Sequence, residues 1–417
     1  MDRFRSLRHP AFRVFWIGQL VSVLGTWMQS VAQGWLMHRL TESAWMLGLL
    51  AGAQFLPVTL FSLWAGVVAD RMDKRRMILV TQVLSMLQAV TLALVVTLGI
   101  VEPWMVLVLA LLFGVVSAFD LPARQAFVAD LVPREDMSNA IALNSTAFNT
   151  ARVFGPAIAG VLLATAGEAA CFWINALSYL AVILSLVRID LPRRDLARSS
   201  LAETLARLNE GLRYAWSTRP VRNLLVLLAI AAGLGFQYGP LLPVYARELL
   251  HAGPGVYGLL TSAFGLGALL AALLMTRHHD RWGLRRNLLL GLTTAGIGMG
   301  VFAWSRYLPL SLAMGFAAGF GLILYVATTN TLIQLTIEDR YRGRVMSLYT
   351  FMFIGTSPLG ALMAGVIAQR FGAPVATSVC ALLLLGCALW MSNRLRVLAA
   401  QERAQSPPDY PQADAVR

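Results

Sequence analysis

Charge is what this chain has least of. Only 13% of its 417 residues are Asp, Glu, Lys or Arg, while 58% are hydrophobic, and the mean hydropathy is +0.66. A soluble domain carries about a quarter charged residues, so an ordinary soluble fold is excluded. Cysteine is scarce too: Cys171, Cys380 and Cys387 each sit in an apolar run, with no metal or redox spacing, and read as small core residues. The five histidines lack metal-ligand spacing apart from the adjacent His278-His279, and neither a Walker A loop nor a G-x-S-x-G elbow occurs. An ATP-driven pump and a zinc enzyme are therefore disfavoured. No enzyme activity, catalytic residue, metal site or cofactor is expected.

What the chain has in abundance is long apolar runs. They recur near residues 14–38, 45–69, 77–100, 104–126, 140–165, 170–189, 223–246, 255–276, 287–305, 308–334, 345–369 and 373–393. Each is long enough to cross a hydrocarbon layer of about 30 Å as a helix. The expected fold class is an all-α polytopic membrane protein with twelve transmembrane helices. A basic start, an apolar run and Ser30-Val31-Ala32 imitate a signal peptide, but Trp, Gln and a polar stripe interrupt the run and eleven more spans follow.

The net charge of +13 would suggest nucleic acid in a soluble protein. Here the 34 bases sort by loop. Twenty-nine fall on the side shared by both termini, four (Arg39, Arg247, Arg306 and Arg370) on the other, and Arg152 alone falls inside a span. The side richer in Lys and Arg stays in the cytoplasm, so both termini are expected there.

The chain also repeats itself. A shift of 210 residues brings Pro10 onto Pro220, Gly48-Leu49-Leu50 onto Gly258-Leu259-Leu260, Ala53 onto Ala263, Asp70-Arg71 onto Asp280-Arg281 and Arg75-Arg76 onto Arg285-Arg286. Farther on the register slips, yet the fifth span of each half keeps a proline, Pro156 and Pro358. An even number of spans separates the copies, which gives two pseudo-symmetric six-helix bundles of the same orientation, as in parallel transporter repeats. The expected domains are residues 1–189, a cytoplasmic linker at 190–222, a second bundle at 223–395 and a disordered tail at 396–417. Within the linker Ser200 and Glu203 have capping-box spacing, and Leu201, Leu205, Leu208 and Leu212 share one helical face. An amphipathic connector lying at the membrane surface is expected there.

The gap between spans two and three reads Gly66-x-x-x-Asp70-Arg71-x-x-Lys74-Arg75-Arg76. It resembles the signature of the major facilitator superfamily, G-x-x-x-D-R/K-x-G-R/K-R/K, with Asp73 replacing the second Gly. The second copy keeps that Gly as Gly283 but has Thr276 at the first. The stretch from Phe12 to Arg76, including GTWMQSVAQGWL, resembles the bacterial branch of enterobactin exporters and macrolide efflux pumps. The resemblance implies a bacterial cytoplasmic (inner) membrane transporter whose spans one, four, seven and ten line the path. It also implies that Asp70 contacts the start of the eleventh span near Arg344 as a cytoplasmic latch. By repeat symmetry Asp280 would latch near Asn139. Physically, Gly66 lets a neighbouring helix approach, and a carboxylate one turn on favours that helix's N-terminal end by about 0.3–1 kcal/mol. The bases Arg71, Arg75, Arg281 and Arg285 either belong to the latch or serve as topology determinants facing lipid headgroups.

Polar residues inside the spans mark the candidate path. In the first span Gln19, Ser22, Thr26, Gln29 and Gln33 follow steps of three and four, which makes one polar face. Such a stripe either glues helices together, at about 0.6 kcal/mol per hydrogen bond, or lines a water-filled cavity. Gln237 and Tyr238 in the seventh span, and Tyr325, Thr328, Asn330 and Gln334 in the tenth, are further candidates. Intramembrane charge is confined to a few positions. Asp120 and Arg152 lie at similar depths and could pair, but Arg124 competes for Asp120 at i,i+4 spacing. Asp120 is then either a protonatable switch, with Arg152 as partner or substrate anchor, or half of a structural ion pair. The fifth span continues Gly155-Pro156-Ala157-Ile158-Ala159-Gly160, which resembles the G-P-x-x-G-G antiporter motif and implies a bent, tightly packed helix in an exporter.

These readings converge on a secondary transporter working by alternating access. Proton-coupled efflux of a small amphiphilic molecule, a drug or siderophore, is expected. The partners are that substrate, protons and membrane lipids, without nucleic acid, and the chain is expected to act as a monomer. Import of a small metabolite, lipid flipping, and a non-transporting scaffold or receptor are the rival readings.

Overall fold

The computed structural model describes residues 4–189, 201–275 and 281–405. Asp280 lies outside them, as does Ser200 of the expected capping box, and of Asp70, Glu203 and Arg281 only the backbone is described. The described elements are helical. The first six long helices are α1 (Pro10–Thr41), α2 (Ala44–Arg71), α3 (Lys74–Thr97), α4 (Pro103–Asp130), α5 (Met137–Thr165) and α6 (Gly167–Arg188). A linker helix α7 (Leu201–Ser217) follows. The seventh span is broken into α8 (Arg219–Gly235), α9 (Tyr238–Val244) and a π-helical turn over Tyr245–Leu249. Then come α10 (Pro254–Met275), α11 (Arg281–Trp304) and α12 (Leu308–Thr336), a second broken span, α13 (Arg342–Gly355) and α14 (Ser357–Phe371), and α15 (Ala373–Gln405). Among the described residues, twelve helical segments are long and apolar enough to cross a membrane. Two boundaries differ from the sequence reading: the second bundle begins at Arg219, and α15 runs through Gln405, ten residues into the expected tail.

Local chemistry sets the starts. Proline stands in the first turn of α1, α4, α12 and α14, where its missing N–H is not needed. Ser43 accepts from the Met46 amide to cap α2. Asp73, the residue that breaks the expected glycine pattern, caps α3 by accepting from the Arg76 amide at 3.0 Å.

In the first bundle α1 packs on α5 and α6, α3 on α4 and α6, and α2 on α4; in the second, α12 packs on α10 and α11, and α11 on α15. The bundles meet where α5 packs on α10 and α2 on α14. Both seams use glycine. A Cβ on Gly48 would stand 2.6 Å from Ala361 O and 2.9 Å from Gly365 Cα. A Cβ on Gly258, its partner in the 210-residue repeat, would stand 2.6 Å from Pro156 O and 2.7 Å from Gly160 Cα. Helices approach this closely only through residues without side chains.

Polar contacts between the bundles gather at the end formed by the α1–α2 turn. There Arg247 Nη2 reaches Glu42 Oε1 at 2.9 Å, His38 Nε2 lies 3.4 Å from Glu248 Oε1, and Ser43 Oγ donates to Gln369 Oε1 at 2.8 Å. At the opposite end a Cβ on Gly66 would meet no atom of the described residues within 4 Å.

The segment before each bundle clamps the 3-10 turn that precedes that bundle's fifth span. Ser6 N donates to Asn139 Oδ1 at 2.9 Å, and Arg5 and His9 each reach Asp136 at 2.7 Å. In the second half Tyr214 of α7 stacks on Tyr341 at 4.0 Å between ring centroids, and Arg344 Nη1 pairs with Glu210 at 2.5 Å. Gly211, Tyr214 and buried Ala215 form one face of α7. The linker helix is thus docked on α13.

Candidate functional site

A cavity of about 610 Å³ lies between the bundles, a size that suits a small organic molecule. Its walls differ. The first bundle supplies Ser22, Thr26, Ser30, Gln54, Gln82, Ser85 and the charged side chains Asp120, Arg124 and Arg152. The second supplies Phe236, Tyr238, Phe264, Leu322, Ile323 and Phe353, and no charged residue among the described ones. Tyr238 stacks on Phe264 with centroids 3.8 Å apart.

The two broken spans meet at this wall. Gln237, in the gap between α8 and α9, donates to Gly233 O at 2.7 Å and lies 3.4 Å from Ser357 O, at the break between α13 and α14. Of the two carbonyls, Gly233 O lies in the last turn of α8, where a helix end leaves carbonyls without intrahelical partners. A Cβ on Gly360 would collide with Gly233 O, so the breaks are also packed backbone to backbone.

Asp120 is the centre of the polar wall. Arg124 Nε and Nη2 donate to Asp120 Oδ2 at 2.8 and 2.7 Å, and Thr81 Oγ1 and Gln82 Nε2 donate to Oδ1 at 2.6 and 3.0 Å. Four donors fill the carboxylate's acceptor positions. Of the two pairings open to Asp120 in the sequence, the one with Arg124 forms. Arg152 instead donates through Nη2 to Asn149 Oδ1 at 2.7 Å, one turn earlier on α5. Arg124, counted among the loop bases by sequence, is a buried residue of α4.

A fold of two six-helix bundles around a charged cavity can be compared with known proteins. The family model described as transmembrane secretion effector, of the major facilitator type, matches residues 2–416. The chain belongs to the major facilitator superfamily. It is 30% identical over 392 residues to the multidrug efflux pump Tap of Mycolicibacterium fortuitum, covering 91% of this chain and 95% of that one. It is 25% identical to the staphyloferrin A transporter of Staphylococcus aureus, covering 86% and 90%. Among solved structures, a bacterial homologue of the lysosomal transporter Spinster, in an inward-facing, occupied conformation, aligns with a TM-score of 0.73 at 15% identity over 95% of this chain and 98% of that one. This facilitator is therefore a multi-pass membrane transporter, and not an enzyme.

Within this facilitator the predicted residues fall into two groups. Ser22, Thr26, Gln237 and Tyr238 line the cavity, with Asp120, Arg124 and Arg152. Gln19, Gln29, Gln33, Tyr325 and Asn330 are not among its lining residues. Gln19 donates to Asn144 of α5, and Gln29 donates to Gln88 of α3 and accepts from Asn175 of α6. The first-span stripe is thus glue at Gln19 and Gln29 and cavity wall at Ser22 and Thr26. The reason is geometric: beyond Thr26 the cavity is lined by Ser30, Val31 and Gly34, on a face of α1 turned away from Gln29, which meets α3 and α6 instead. Gln33 is buried, Tyr325 is fully buried, and Asn330 Oδ1 accepts from Gln334 at 2.5 Å.

The motif residues do specific work. Gly155 faces Trp27 of α1, and Pro156 and Gly160 face Gly258 across the bundle seam. Lys74 Nζ pairs with Asp130 Oδ2 at 2.7 Å and Arg75 Nη2 donates to Val187 O at 3.1 Å, which ties the α2–α3 turn to the ends of α4 and α6. Arg344, the expected latch partner of Asp70, is engaged by Glu210, and Gly66 faces open space.

Sequence reasoning passed over the third span. Thr81, Gln82, Ser85 and Gln88 are all buried and recur at helical spacing, facing Asp120, the cavity and Gln29. A polar stripe in the third span was the available signal. The contacts Glu42–Arg247 and His38–Glu248 were not visible, because residues far apart in sequence meet only when the bundles close.

Proposed function

We propose that this facilitator exports small amphiphilic molecules from the bacterial cytoplasm by alternating access, coupled to proton entry. The observation that carries this reading is a cavity in which charge and apolar surface are set side by side: Asp120, Arg124 and Arg152, all from the first bundle, stand among aromatic rings supplied by both bundles. A molecule with one polar and one apolar face satisfies both. With the base-rich end in the cytoplasm, Gly66 lies on the inner side and the Glu42–Arg247 contact joins the bundles on the outer side. Efflux is favoured by the likeness to the Tap pump along nearly the whole chain. In this reading the chain works as a monomer in the inner membrane, with lipid headgroups around its basic loops.

Asp120 is the carboxylate among the described residues lining the cavity. A proton on Asp120 removes the negative charge that Arg124 faces, so loading and release of the proton change the charge of the wall the cargo touches. Asp70 and Asp280, with the bases around them, act as paired latches on the cytoplasmic side when that side closes.

The test is flux in proteoliposomes of purified protein under an imposed pH gradient, with a panel of dyes, antibiotics and siderophores. Gradient-dependent movement of at least one amphiphile is expected. If nothing in the panel moves, the transport reading fails; movement indifferent to the gradient defeats the proton step alone.

A further inference from the structure

The cavity holds two guanidinium groups and one carboxylate, and that carboxylate is fully used. Asp120 accepts from Arg124, Thr81 and Gln82. Arg152 pairs with no carboxylate among the described residues; its Nη2 donates to the neutral amide of Asn149, and its Nε, buried, has no hydrogen-bond partner. The titratable group of the opposite bundle that faces it is the phenol of Tyr238. Arg124 adds a second unused donor: it is 8% exposed, and its Nη1 has no partner although Nε and Nη2 are both engaged. Beside it a smaller pocket of about 320 Å³ opens between α4 and α5, shared with the main cavity at Arg124 and Phe148 and lined by the amides Gln125, Asn144 and Asn149. That pocket holds no acid among the described residues.

A guanidinium inside a membrane is costly unless paired or hydrated. A guanidinium that lines a cavity without a carboxylate partner matches a planar oxyanion better than it matches a neutral group. We propose that the cargo is an organic anion, and that Arg152, beside Arg124 in the cavity lining, forms a carboxylate-binding subsite, with the aromatic residues Phe236, Tyr238, Phe264 and Phe353 receiving the apolar remainder. The bound anion makes the cavity neutral. A monoanion carried outward also moves down an inside-negative potential, so the charge that seats the cargo assists its export. This inference rests on the transport reading for its direction, and on the cavity alone for its ligand class.

The experiment compares binding of matched compounds to the purified full chain in nanodiscs, read by quenching of tryptophan fluorescence, since Trp27 lines the cavity. The probes are naproxen and 1-pyrenebutyric acid, the methyl ester of each, and the dimethylaminoethyl amide of each. The acids should bind at least ~10-fold more tightly than their esters and amines. Arg152→Gln should abolish that preference and Arg152→Lys should keep part of it, with thermal unfolding reporting whether each variant is folded. Equal or tighter binding of the esters or amines, no binding by any of the six compounds, or an acid preference that survives in folded Arg152→Gln would overturn the proposal. Flux separates the two readings. Acids that bind but never cross leave the anion subsite standing and count against transport, whereas amines that cross without any acid preference do the reverse.

Discussion

Gly160 and Gly258 meet backbone to backbone across the bundle seam, and the repeat partner of Gly258, Gly48, makes the corresponding contact with Gly365. The neighbours at both contacts are main-chain atoms, which cannot rotate away. Gly258→Val should therefore force the seam apart. Overpacking of this kind costs about 1–3 kcal/mol, which shifts a two-state equilibrium by roughly 5- to 150-fold. The expected result is protein that inserts normally but exposes the cavity to the outer side. A cysteine placed at Gln54 should react with an impermeant maleimide added outside faster in that variant than in the parent. Unchanged labelling together with unchanged flux would remove this contact from the gate.

The pair Glu42–Arg247 closes the same end and is partly exposed on both sides. Exposed pairs contribute at most about 1 kcal/mol, so Glu42→Arg should loosen the closed end by no more than roughly 5-fold. Combining it with Arg247→Glu should restore parental labelling. Failure of the double reversal to recover would mean that the two side chains act separately.

Gln29 and Thr26 are one turn apart on α1, yet they should behave differently. Gln29 bonds Gln88 and Asn175 and does not line the cavity, while Thr26 does line it. Gln29→Leu should lower thermal stability by about 1 kcal/mol, from two interhelical hydrogen bonds of about 0.6 kcal/mol each, and leave cargo affinity alone. Thr26→Val should change affinity and leave stability nearly unchanged. The reverse pattern would return the stripe to the cavity along its full length.

That contrast shows what the sequence could disclose. Span number, the repeat and the membership of the family were legible because they rest on apolar length, a constant offset and a motif, all of which are local or periodic. The cavity was legible only where a charge stands out from an apolar run, at Asp120, Arg124 and Arg152. Which face of α1 meets water was not legible: a polar stripe looks the same whether Asn144, Gln88 or a cavity lies opposite, and that is decided by the helices packed around it. Asp73 makes the same point from the other side. It breaks a family pattern but keeps the turn, because a side-chain cap on α3 replaces the conformational freedom of glycine.

Arg344 is held by Glu210 of the linker helix, while Gly66, one turn before Asp70, faces open space. If Asp70 takes over when the cytoplasmic side closes, Glu210 and Asp70 compete for the start of α13. Glu210→Gln should then favour closure and Asp70→Asn oppose it. Both should leave cargo affinity in detergent unchanged, and labelling at the cytoplasmic mouth should move in opposite directions. Movement in the same direction, or full turnover in Asp70→Asn, would end the latch reading.

Asp120→Asn is the natural test of proton coupling, but the structure shows why it is not sufficient. Its remaining oxygen can still accept from Thr81 and Gln82. The new amide, however, points donors at Arg124 Nε and Nη2 and leaves a buried guanidinium without its counter-charge, a change that typically costs about 3–5 kcal/mol. Loss of flux in that variant could follow from instability alone. Asp120→Asn combined with Arg124→Gln removes both charges and leaves two amides able to bond each other. The double variant should melt close to the parent and, if the Asp120 carboxyl carries the proton, should move cargo at the same rate with and without a pH gradient. The ratio of the two rates is the readout, because weaker cargo binding after loss of Arg124 lowers both equally. A parental ratio in a stable double variant would make Asp120–Arg124 a structural pair and place the coupling step elsewhere.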